Sequence, residues 1–244
     1  NAGGPGDVTT PVPTGHISYT LGADALLSVE LLAAPGLSKL DGTPVHAVWD
    51  ASTNTLTGYG SSTSDVVFTI ALSDVTSSGA DYTVTLLQPV KHPGQNEDDL
   101  GFTVDVKVTD VDGSVDHGNF QVTVNDDTPV AQDYAGATFV EGSGAHIIGA
   151  ATTVLGISAG ADGLQGALSS IVFANQGGTG GSLSIDGSGN LIYSSPSHVT
   201  SGTDVTETFS YTVTDRDGDA VTREVTFGVS DTGISGVIGT SAVV

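Results

Sequence analysis

The 244-residue chain contains no cysteine and no methionine, and its basic residues number 5. Without cysteine, disulfides cannot staple the fold. That fits a cytoplasmic protein, or a secreted one held by metal instead, since an ion that binds only the folded state adds to its stability. Without methionine even at its start, the chain reads as a piece of something longer. The scarcity of Lys and Arg argues against nucleic acid and anionic membranes as partners, because their phosphates would be repelled. No apolar run approaches the roughly 20 residues a membrane-spanning helix needs, and no signal peptide is visible. Aromatic residues make up 6%, with Trp49 the sole tryptophan. That is poor material for a carbohydrate cleft, and Trp49 reads as core or edge packing rather than a sugar platform.

Acid is plentiful. Asp and Glu total 28, and the formal net charge is −23. Disordered acidic chains lack β-branched and aromatic residues. Here Val, Thr and Ile recur throughout, so the reading is a folded protein that needs counter-ions.

Period-2 alternation of apolar and polar residues is the main structural signal. It predicts strands over Asp65–Leu72, Asp81–Leu86, Phe102–Val108, Phe120–Val124, Phe209–Thr214 and Val225–Val229. Turn residues separate them at short intervals, the pattern of β-sandwiches. The best helical stretch, Leu164–Ser170, supports at most a turn or two.

The pattern repeats. Val108-Thr109-Asp110-Val111-Asp112-Gly113 returns as Val213-Thr214-Asp215-Arg216-Asp217-Gly218, and Phe120, Val122, Val124 and Asp126 fall on Val225, Phe227, Val229 and Asp231 at the same offset. The expected fold is all-β, with two tandem Ig-like or cadherin-like β-sandwich domains over residues 15–127 and 128–232. Residues 1–14 read as a linker, and 233–244 as a linker or the start of a further domain. Pro129, which cannot donate to a ladder, closes the junction Asn125-Asp126-Asp127-Thr128.

Candidate chemistry lies in the acidic clusters. Asp110 and Asp112, and likewise Asp215, Asp217 and Asp219, crowd carboxylates onto tight turns. Calcium, with 6–8 oxygen ligands, would relieve their repulsion; an Asp-Gly hairpin turn with solvated carboxylates is the competing reading. The turns are not EF-hand loops, since the twelfth position counted from Asp215 is Thr226. At the junction, Asp126 and Asp127, with Asp133 and Glu141 following, could hold Ca²⁺ between two domains and fix their angle; otherwise this is a polar hinge. Asn96-Glu97-Asp98-Asp99 reads as an acidic loop, either a solvated tip or a place where metal positions stay open for a ligand.

Enzyme signals are poor. Gly156-Ile157-Ser158-Ala159-Gly160 matches a nucleophile pattern that needs a strand-to-helix elbow. In a chain with 34 glycines, chance matches are expected. Gly177–Leu183 resembles one calcium-binding nonapeptide but carries Ser182 where Asp is needed. The six histidines lack zinc spacing.

The stretches Ala47–Asp50, Thr55–Tyr59, Val67–Leu72, Tyr82–Leu87 and Phe102–Val104, with the acidic turn at Asp110 and the exit Asn125–Pro129, resemble the repeat domains of type I secreted RTX adhesins. Residues 129–231, above all Tyr211–Asp219, look like the cadherin-like repeats of those giant Gram-negative surface proteins. The resemblance implies calcium, export by type I secretion to the bacterial cell surface, no enzymatic activity, and neighbouring repeats of the same chain as partners. It leaves two roles: an extender that projects adhesive domains, or a module that binds a host-cell or biofilm glycan or peptide. A hydrolase is a distant third.

Overall fold

The computed structural model describes residues 12–33, 35–94, 98–177, 180–199 and 203–233. The linker readings at the two ends fall largely outside these residues, as do Asn96 and Glu97 of the acidic loop and Gly178 and Thr179 of the glycine-rich stretch. The chain forms two compact units. The first runs to Thr128 and also takes in Gly160–Gly163 and Arg216–Asp219; the second comprises Pro129–Ala159, Leu164–Asp215 and the chain from Ala220.

In the first unit, strands β1 (Thr14–Ser18), β3 (His46–Asp50), β4 (Thr55–Tyr59), β5 (Val66–Ser73) and β6 (Gly79–Leu86) make one antiparallel sheet in the order β1-β6-β5-β4-β3. A second sheet is β2 (Leu26–Leu32), β7 (Leu100–Asp110) and β8 (Val115–Val124), in that order. Alternation puts one face of each sheet into a shared core: Leu56, Phe68 and Ile70 from the first meet Leu31, Val104 and Val106 from the second. The Phe68 and Phe102 rings span the two sheets at 5.3 Å between centroids. This is a β-sandwich. Trp49 lies on β3, an edge strand, and packs partly against the core, as its place in the sequence predicts. β8 is a ten-residue edge strand whose side chains are mostly exposed.

The second unit repeats the two-layer plan. β10 (Ala145–Ala150), β13 (Asn190–Ser194) and β12 (Ser182–Ile185) form one sheet; β11 (Phe173–Asn175), β14 (Val205–Thr214), β15 (Ala220–Ser230) and β9 (Tyr134–Val140) form the other. β9 runs parallel to β15, and the remaining pairings are antiparallel. Tyr193 of one sheet stacks on Phe227 of the other at 4.2 Å, within a core that includes Leu155, Leu191, Phe209 and Val225. The predicted helical stretch condenses to one 3₁₀ turn, Leu168–Ser170, while a one-turn helix at Ala151–Val154 has too short a pattern to be read from sequence.

This core also holds a fully buried carboxylate. Glu207 accepts hydrogen bonds from the Tyr193 hydroxyl at 2.5 Å and the Gly181 amide at 2.8 Å. Partners of this kind are what make such burial tolerable. Tyr193→Phe removes a buried hydrogen bond and leaves its acceptor unmet, so a loss of about 1–3 kcal/mol is expected in urea unfolding.

Both units use a strand glycine as a seat for a phenylalanine ring. A Cβ on Gly58 would enter the Phe68 ring, and one on Gly136 the Phe227 ring, whereas a Cβ on Gly118 of β8 meets nothing. Gly58→Ala and Gly136→Ala are expected to cost about 1–3 kcal/mol each through overpacking. Gly118→Ala should leave the melting temperature nearly unchanged, and equal losses at all three sites would show that ring seating is not the cause.

Candidate metal centre

The two repeated acidic turns occupy the same topological place, between the last two strands of each unit, but differ in surroundings. In the β7–β8 turn, residues 111–114 are exposed and Asp110 at its foot is buried. Asp110 and Asp112 each accept from the Ser114 amide, at 2.8 and 3.1 Å, and the left-handed backbone at Gly113 closes the bend. Asp24 joins them, with one oxygen of each carboxylate within 4.8 Å of the others. Their mutual hydrogen bond shifts them apart: the Asp112 carboxylate raises Asp110, and Asp110 together with Ser114 lowers Asp112. Their internal hydrogen bonds satisfy this turn as a hairpin.

The β14–β15 turn is withdrawn from water. Asp215 is fully buried and pairs through its backbone with Leu164 in the second unit. Arg216–Asp219 belong to the first unit, where the Asp217 side chain is 3% exposed and Asp219 is buried.

In that first unit, Asp217 lies beside Asp126. Asp126 and Asp127 are both buried, and the Asp127 amide donates to Asp126 Oδ1 at 2.8 Å. The Asp127 carboxylate accepts from the Ala161 amide. His92, itself buried, sets Nδ1 3.0 Å from Asp126 Oδ1 and 3.8 Å from Asp217 Oδ2. Asp162 is buried in the same cluster. Oδ2 of Asp126, Oδ2 of Asp162 and both carboxylate oxygens of Asp217 are buried without a hydrogen-bond partner.

The electrostatics follow from this geometry. Burial pushes the Asp126 carboxyl up to about 7; the Asp127 amide and His92 oppose the rise, and Asp98 and Asp217 add to it. Burial likewise pushes Asp162 up to about 6, with Asp217 adding to it and His92 opposing. The donor set is rich in hard carboxylate oxygen and short of positive charge, which fits a divalent cation such as calcium.

Asp133 and Glu141 belong to the second unit. They flank opposite ends of β9. Asp133 is exposed and accepts from the Glu224 amide at 2.8 Å. Glu141 accepts from the Thr232 hydroxyl at 2.6 Å and from the Thr232 and Val199 amides, which hold its carboxyl down at about 2. Two cluster members were not singled out in the sequence. Asp162 is an isolated acid in an Ala/Gly-rich loop. His92 carries one local cue, its place beside Pro93-Gly94, where a turn can aim a side chain inward. Asp98 of the acidic loop also faces inward, toward Asp126.

The Gly156–Gly160 stretch lacks the context of a nucleophile elbow. A helix precedes it, and Ser158 pairs through its backbone with Val130. The Ser143–His146 contact, at 2.9 Å, belongs to a turn: Ser143 Oγ donates its proton to the Val140 carbonyl at 2.6 Å.

The family described as Bacterial Ig domain matches residues 125–228. No curated protein matches the chain. Solved structures with some similarity include the protocadherin GammaB4 extracellular domain, at 11% identity over 88% of this chain and 34% of that one, with a TM-score of 0.32. A protocadherin gammaB7 EC3-6 cis-dimer matches at 12% identity over 83% and 51%, with a TM-score of 0.32. Zebrafish RET cadherin-like domains 1 to 4 match at 11% identity over 86% and 52%, with a TM-score of 0.26. The chain thus spans about a third to a half of their lengths. At these scores the similarities establish neither fold nor function. Among the described residues, no helix is long and apolar enough to cross a membrane.

A pH dependence follows for protein kept in chelator. Asp126 and Asp162 hold protons in the folded state to about 7 and about 6, while unfolded carboxyls lose theirs near pH ~4. The folded state therefore binds more protons between these limits, and stability should fall as pH rises from about 4 to about 7. Urea midpoints across this range should show the decline, and Asp126→Asn with Asp162→Asn should flatten it. A wild-type midpoint that climbs over the same range, with no difference from the variant, would contradict the burial described.

Proposed function

We propose that the chain is a calcium-stabilised, non-enzymatic structural module of a large bacterial surface adhesin of the type I secreted RTX kind, extending the molecule outside the cell between neighbouring repeats. One observation carries the cation: Asp126, Asp162 and Asp217 bury carboxylate oxygens that no donor meets. Unpaired buried charges cost several kcal/mol apiece, so these groups are stable together only as acids or around a cation. Outside the cell near neutral pH, calcium is the abundant hard ion that meets this need. The two-sandwich architecture and the bacterial Ig match over residues 125–228 support the structural role. The junction carboxylates Asp126 and Asp127, with Asp217 and Asp219 of the recurrent turn, are the proposed ligands, joined by Asp162.

Calcium at about a hundred times its dissociation constant would add about 2.7 kcal/mol, or roughly 5–10 °C in a chain of this size. EDTA should lower the melting temperature by that order, and added calcium should restore it. Identical melting curves with and without EDTA would sink the proposal. The Asp217→Asn variant separates a ligand from a packing residue. It should lower the melting temperature in calcium, yet leave it unchanged or raised in EDTA, where it removes a buried repulsion.

A further inference from the structure

His92 is the one cluster member that offers nitrogen. Its ring is 5% exposed, and its two nitrogens face different partners. Nε2 lies 3.4 Å from the Val124 carbonyl oxygen. A carbonyl can only accept, so an N–H at Nε2 suits that side of the ring and leaves Nδ1 as the nitrogen that could bind a metal ion. Nδ1 faces two carboxylates, Asp126 at 3.0 Å and Asp217 at 3.8 Å. Nδ1 has no hydrogen-bond donor of its own to meet, and neither do Asp126 Oδ2 or the Asp217 oxygens. Three lone-pair-bearing groups converge on one buried point. Two ligands of a tetrahedral ion bound at about 2.0 Å stand about 3.3 Å apart, a spacing the two observed separations bracket. An imidazole nitrogen orientated by a backbone carbonyl on its far side is also how metal-binding histidines are commonly held.

Calcium gains little from nitrogen, whereas borderline transition ions prefer it. We propose that His92 Nδ1, Asp126 and Asp217 form a mixed nitrogen–oxygen centre that accepts a borderline divalent transition ion, with zinc as the probe. This rests on the cation reading of the cluster and adds a preference among ions to it. His92, Asp126 and Asp217 all lie in the first unit.

The test uses the full chain, stripped with chelator and then titrated separately with calcium and with zinc. Calorimetry and melting temperature are the readouts, for wild type and His92→Gln. Both ions should stabilise the wild type. His92→Gln should keep the calcium response and lose zinc affinity about tenfold or more. Unchanged zinc affinity in that variant, or a wild type that answers calcium alone, overturns the inference and leaves the calcium proposal standing. A wild type that answers neither ion overturns both. Should His92→Gln fail to fold, ring-nitrogen NMR of the wild type decides: zinc should shift the His92 Nδ1 resonance and calcium should not. A static Nδ1 signal in saturating zinc counts against the centre.

Discussion

Carboxylates removed from water without a matching positive charge are the constraint on which the rest of this structure depends. The chain has few lysines and arginines to spare, and in the first unit Lys39 and Lys107 are paired with Asp65 and Glu30 in half-buried positions. Asp126, Asp162 and Asp217 therefore face one another, with His92 set against Asp126 and Asp217. A protein solves this with protons or with an imported ion. Protons can do so only below neutrality, and above it the proposed cation would take their place.

The contrast between Glu207 and Asp217 sharpens the point. Glu207 is equally buried, but a hydroxyl and an amide meet its oxygens, so its site is closed by the protein itself. Asp217 is buried with both oxygens unmet. Burial alone does not mark a metal ligand. Burial with donors withheld is the feature on which the proposed ligands rest, and the two cases occur in the same chain.

Much of the fold was legible because alternation in strands such as Val66–Ser73 and Val205–Thr214 is a direct record of which face is buried. The recurrent Asp-x-Asp-Gly turn was legible as a motif, and both copies do join the last two strands of a sandwich. Its environment was not legible. Whether Asp112 meets water or Asp217 meets other acids depends on residues far away in sequence. Asp126 and Asp127 could be singled out because they cluster locally. His92 and Asp162 could not, since each stands alone in sequence and gains meaning only when the chain gathers it beside Asp126. Glu141 shows the converse: the sequence could not reveal that the Thr232 and Val199 amides and the Thr232 hydroxyl meet its carboxylate.

Among the described residues, strand β8 pairs only with β7, which leaves a ten-residue border of its sheet without a strand partner. Such a border can template the addition of another chain, the first step toward fibrous aggregates. Here it carries Asp116 and polar side chains outward, on a molecule whose charge of −23 repels its own copies. The acidity that creates an electrostatic problem inside the protein thus serves as colloidal protection outside it. That protection is at its weakest in strongly acidic or high-salt media.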